Sequence, residues 1–107
     1  MSNTVRLVVF VPTSHADQVR QAMGEAGAGQ IGKYSFCSFS VTGTGRFKPG
    51  NDANPAIGEI GKMNEVKEER IEVVCAKDNV TAVVAAIKSV QPYEEVVIDI
   101  YDVTVVV

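Results

Sequence analysis

The densest group of residues able to do chemistry is T-G-T-G-R-F-K-P-G, residues 42–50, continued by N-D-A-N-P to position 55. Gly43, Gly45 and Gly50 leave backbone amides open to a ligand, and Arg46 and Lys48 add two cations, which together make an anion site. The stretch lacks the Gly-Lys-Ser/Thr ending of a phosphate-binding loop. With no hydrophobic period and three kinds of turn former, 42–55 is predicted to be a loop, much longer than the usual connection of about four to six residues. A loop of that length carries function, docks on a neighbouring subunit, or does both.

Three further groups have chemical potential. Tyr93, Glu94 and Glu95 follow Gln91-Pro92, and the carboxylates could meet a cation or a base such as Arg70. On extended backbone, adjacent side chains point to opposite faces, so Glu94 and Glu95 do not chelate one ion together. His15 is the sole histidine and sits in the first turn of a predicted helix, where the dipole disfavours its cation. A neutral imidazole there is a candidate metal contact, though a weak one, because a catalytic zinc normally takes three protein ligands; an ordinary surface or capping histidine is the plainer reading. Gly27, Gly29 and Gly32 spell G-A-G-Q-I-G. A dinucleotide fingerprint follows a strand and opens a helix, whereas this one follows a helix and opens a strand, so that reading fails. No spacing assembles a nucleophile with a base, and the chain is expected not to be an enzyme.

The bulk composition narrows the classes. With 107 residues, 46% hydrophobic and 21% charged, one domain over 1–107 is expected. A net charge of −3 without a run of Lys or Arg argues against nucleic acid as a partner. The apolar runs are too short to span a membrane. Met1-Ser2-Asn3 leads straight into a strand-like segment without secretory features, which predicts a cytoplasmic location. Cys37 and Cys75 lack a CxxC spacing and are expected to be buried free thiols.

The elements that must position these residues follow from periodicity. Residues 4–11 read as a buried strand ending at Pro12. Ser14 is expected to cap a helix, with Asp17 completing the box. Its apolar face is Ala16, Val19, Ala22, Met23 and Ala26, and Gly27 ends it. Residues 34–41 alternate as a strand, and 56–67 form an irregular approach, entering a strand over 68–76 near Asn64 through a bulge. Asp78 or Asn79 caps a second helix with Val80, Val83, Val84, Ile87 and Val90 on one face, and Gln91-Pro92 closes it. Residues 96–107 read as a long final strand. The order βαββαβ predicts an α+β, ferredoxin-like sandwich, a four-stranded antiparallel sheet with two helices on one face. The bare sheet face favours self-association, and Val105-Val106-Val107 could pair with a neighbour's edge.

The strings at 26–39, 42–50, 68–74 and Q-P-Y-E-E-V-V-I-D-I-Y at 91–101 together resemble the inserted domain of the NIF-three-like, or dinuclear metal centre, family. The resemblance implies a CutA/PII-like fold, a trimer, and a cap over a metal-binding core, with effectors bound in clefts between subunits as in PII proteins. The family's metal ligands lie in flanking core halves that these residues do not match, so none is carried over. Where the family reads His-Pro-Tyr-Glu-Glu, Gln91 replaces the histidine. The expected function is a non-enzymatic, homo-oligomeric binding or regulatory module. Its 42–55 loop would take a small anionic ligand or a partner protein at intersubunit clefts, through Gly43, Gly45, Arg46, Lys48, Tyr93, Glu94 and Glu95. The alternative is a metal-binding protein or accessory to metal-assisted hydrolysis, with His15 alone to indicate a divalent metal; the cofactor stays open. A third reading is a subunit that caps a separately encoded core protein.

Overall fold

A computed structural model describes residues 3–107; Met1 and Ser2, part of the start expected to lack secretory features, lie outside the described residues. Strand β1 (Thr4–Pro12) leads through a 3-10 turn (Thr13–His15) into helix α1 (Ala16–Glu25). Strands β2 (Phe39–Phe47) and β3 (Asn64–Ala76) follow, then a second 3-10 turn (Lys77–Asn79), helix α2 (Val80–Val90) and strand β4 (Ile98–Val103). The sheet order is β2-β3-β1-β4, with every neighbouring pair antiparallel. This is the expected ferredoxin-like arrangement.

Alternation along the central strands divides the two faces. Val5, Leu7, Val9 and Val11 of β1 and Ile71, Val73 and Cys75 of β3 point toward the helices. They pack with Ala16, Val19 and Met23 of α1 and Val83 and Ile87 of α2. Each fully buried Val or Leu side chain contributes about 1.5–3 kcal/mol. On the opposite face Phe39, Val41, Phe10 and Tyr101 stay exposed. Arg6, Arg70 and Glu72 form ion pairs among them.

Both helices end as their sequences require. Gly27 takes φ +100, and its amide and that of Ala28 return to the Gly24 and Met23 carbonyls at 3.0 Å each, closing α1 as a left-handed cap. Gln91 turns to extended backbone at the end of α2 because Pro92 follows. The caps at the starts differ from expectation. His15, not Ser14, occupies the N-cap of α1, without a side-chain capping bond, and Asp17 pairs with Arg20 instead. Asn79 stands at the N-cap of α2, but its amide donates to the Ala26 carbonyl at 2.8 Å, so it closes α1 and ties the two helices together.

Strand boundaries also differ, with β3 starting at Asn64 rather than Glu68 and β4 at Ile98 rather than Val96. Residues 34–38 are not strand, because the Cys37 amide is drawn to the Gly29 carbonyl at 2.9 Å while the Gly29 amide donates to Val74 at 2.7 Å. Phe36 sits at φ +58, rare for an aromatic residue, with its ring over Gly24. The first part of the predicted 42–55 loop is strand: Thr42 and Thr44 pair with Glu69 and Lys67 on the helix side, and Gly43 and Gly45 occupy the other face. The β2–β3 register runs unbroken from Phe39↔Glu72 to Phe47↔Asn64, so the expected bulge near Asn64 is absent. β4 stops at Val103, where its pairing with Thr4 ends, and Val106 and Val107 are almost fully exposed. Cys75 is buried as expected, whereas Cys37 is only half-buried; both are free.

Candidate functional site

β2 leaves the sheet at Phe47, and the chain from Lys48 to Met63 folds back on itself. Gly61 donates to the Pro49 carbonyl at 2.9 Å and Ala53 to Gly50 at 3.1 Å, and Pro49 is buried. This loop reaches the connection between α2 and β4 through one bond, in which the Asn54 amide donates to Glu94 Oε1 at 2.9 Å. Between loop, connection and bare sheet face lies a cleft of about 430 Å3, within the usual range of about 300–1,000 Å3 for small-molecule sites.

Six of the seven residues expected to bind a ligand line this cleft: Gly45, Arg46, Lys48, Tyr93, Glu94 and Glu95. Gly43 does not; it faces a smaller depression beside Thr42 and Arg70. Their roles differ from those the sequence implies. Arg46 alternates away from Gly45 and pairs across the ladder with Glu65, Nε to Oε2, at 2.9 Å. Lys48 is exposed and makes no ion pair among the described residues. Glu94 accepts a backbone amide rather than meeting a base, and Arg70 bonds Glu72 instead.

A polar group on the floor of the cleft is Glu68, whose place in the sequence marks it only as the start of a strand. Its Oε2 accepts the Tyr93 hydroxyl, and its Oε1 lies against Gly45, where an added Cβ would come within 1.9 Å. Gly45 is therefore a space requirement within a strand. Tyr93 is held from the other side by Phe47, edge to face at 6.1 Å between ring centres. Burial, then the hydrogen bond to Glu68 and the Glu68 charge, pushes the Tyr93 phenol well above the ordinary tyrosine value. Phe10, Pro49 and Ile57 supply apolar lining. Gly43 and Gly45, spaced two apart, leave one face of the stretch without side chains, which was the available signal for a side chain crossing from the next strand.

Gln91, at the position of the family's histidine, is buried, and its Nε2 donates to the Phe10 carbonyl at 3.0 Å. The β1–β4 pairing ends at Val9↔Ile98, so this amide serves the first β1 carbonyl past the ladder's end. His15 lies apart from the cleft lining, with Nδ1 2.9 Å from the Ser14 hydroxyl. Among the described residues no three His, Cys, Asp or Glu side chains form a group able to hold a metal ion, so the donor set does not fit a metal centre.

No family model matches the chain. A protein of Halalkalibacterium halodurans called GTP cyclohydrolase 1 type 2 homolog is 50% identical over 96 residues, 90% of this chain. Its counterpart in Bacillus subtilis is also 50% identical, over 92% of the chain. A crystal structure of a Bacillus cereus protein related to NIF3 superposes with a TM-score of 0.81 at 42% identity over 95% of the chain. The chain is homologous to the NIF3-related proteins. It spans about a quarter of their length, 26% in each of these three cases. The chain also shares the fold of a divalent cation tolerance protein, CutA from Archaeoglobus fulgidus, with a TM-score of 0.70 at 13% identity over 97% of this chain and 87% of that one. Among the described residues no helix is long and apolar enough to cross a membrane.

Proposed function

We propose that this NIF3-type chain forms one domain over 1–107 that acts as a non-enzymatic binding or regulatory module, assembled as a trimer in the cytoplasm. Its ligand, a small molecule or a segment of a partner protein, enters the cleft between the 48–63 loop and the 91–97 connection. The observation that carries this reading is the convergence of residues far apart in sequence, 45–48 and 93–95, on one cleft with aromatic walls. An anionic ligand would engage Lys48 at the rim. Assembly is supported by the bare sheet face, with Phe39 62% and Tyr101 50% exposed, since apolar area left in water costs about 25 cal/mol per Å2. The relatives' name, GTP cyclohydrolase 1 type 2 homolog, points to hydrolysis of a nucleotide. Among the described residues no group of His, Cys, Asp or Glu able to hold a metal ion comes together, whereas the cleft offers a lined cavity, so a binding role is the better reading.

The test is mass spectrometry of small molecules retained by protein purified from its native cell. A compound retained by the wild type and lost from Tyr93→Ala supports the module. A clean wild-type preparation, with no compound and no co-purifying protein, contradicts it.

A further inference from the structure

The floor of the cleft holds an anion without a cation. Glu68 takes one hydrogen bond, from Tyr93, and makes no ion pair among the described residues. Three of the neighbouring bases are committed elsewhere or face away, and the fourth, Lys48, lines the cleft at its exposed rim without pairing with Glu68. Arg46 pairs with Glu65, Lys67 alternates onto the helix side opposite Thr44, and Arg70 bonds Glu72 while its guanidinium lies 5.8 Å from the centre of the Phe10 ring. Oε1 of Glu68 thus lies over the Gly45 backbone with its acceptor capacity unused. The rings of Phe10, Phe47 and Tyr93 line the same space.

An unpaired carboxylate among aromatic rings attracts a cation twice over. The ring faces carry negative electrostatic potential, and an ionised acceptor makes the stronger class of hydrogen bond to N–H donors. We propose that the floor of this cleft binds a small organic cation, an amidinium or protonated amine on a flat apolar body, with its N–H donors on Glu68 and its body against Phe10, Phe47 and Tyr93. The proposal rests on the reading of the cleft as a ligand site, and it reverses the charge that the 42–50 glycines and cations imply. The contact of Arg70 with Phe10 shows the same pairing of cation and ring within the protein, beside the site.

Benzamidinium and benzoate have the same shape and opposite charge, so an amide NMR titration of the whole chain with each separates the outcomes. Benzamidinium is expected to shift the Gly45, Phe47 and Tyr93 amides saturably. Glu68→Gln, which keeps an acceptor for Tyr93, should weaken this about tenfold, the scale of one charge-assisted hydrogen bond. Phe47→Leu, which keeps apolar volume but removes a ring, should weaken it as well. Wild-type affinity in both variants would overturn the proposal. Benzoate shifting the Lys48 region while benzamidinium shifts nothing would overturn it and leave the ligand cleft standing. No response to either probe would count against both readings.

Discussion

Oε1 of Glu68 occupies the place a Cβ of residue 45 would take, 1.9 Å from its ideal position. The two residues lie on adjacent strands, and this one missing methyl group lets the carboxylate lie flat against the backbone and reach Tyr93. The obstacle that Gly45→Ala meets is the far end of a flexible side chain, so Glu68 is displaced and the fold should lose about 1 kcal/mol, the low end of overpacking and the net value of its bond to Tyr93. Tyrosine fluorescence and chemical denaturation together test this: a loss of that size with an altered Tyr93 environment is expected.

Gly29 gives the opposite result. Its φ is +84, and a Cβ there would meet the backbone of Cys37 at 2.5 and 2.7 Å, atoms that cannot rotate away. Gly29→Ala combines left-handed strain with overpacking and should cost about 2–4 kcal/mol. Urea denaturation reads this directly, and a loss equal to that of Gly45→Ala would refute the distinction.

The hydroxyl of Tyr93 predicts an alkaline limit. Its folded value is raised above that of the unfolded chain, about 10 for an ordinary phenol, first by burial and then by Glu68. Its contribution is therefore whole below about pH 10 and is lost as the pH climbs through the folded value. Ultraviolet titration should show one phenol of the three tyrosines ionising late, and Tyr93→Phe should remove that component. The same variant should flatten the fall in stability at high pH.

Gln91 predicts a local cost. Gln91→Met removes the donor to the Phe10 carbonyl while keeping most of the volume. Stability should fall by about 1 kcal/mol, the net value of one such bond, as read by the denaturation midpoint at unchanged slope. A gain in stability would show that relief of the unpartnered Gln91 Oε1 outweighs the lost bond.

The two helices and the strands at 4–11 and 68–76 were legible because local pattern and tertiary environment agree: one face of each meets the core. Legibility failed where a partner strand outweighs local composition. T-G-T-G reads as a loop, yet thirteen residues of β3 extend the ladder past Glu68 and make it strand. Y-S-F-C-S alternates like a strand, yet the bonds from Gly29 to Val74 and from Cys37 to Gly29 hold it in a loop. The V-T-V-V-V ending has strand composition, yet the ladder between β1 and β4 ends at Thr4↔Val103 and the last residues continue without strand geometry. At the cleft, six of the seven residues singled out by type and spacing fall on the lining. That choice missed Glu68 and misassigned Arg46, because the face on which each side chain falls depends on a register that sequence alone did not show.

Assembly is the most direct test of the module reading, and light scattering at micromolar concentration measures it. The account predicts a particle of three times the 11.4 kDa chain mass, reduced by Val41→Asp, which places a charge on the bare sheet face at a residue 47% exposed. A wild-type particle of 11.4 kDa would contradict it.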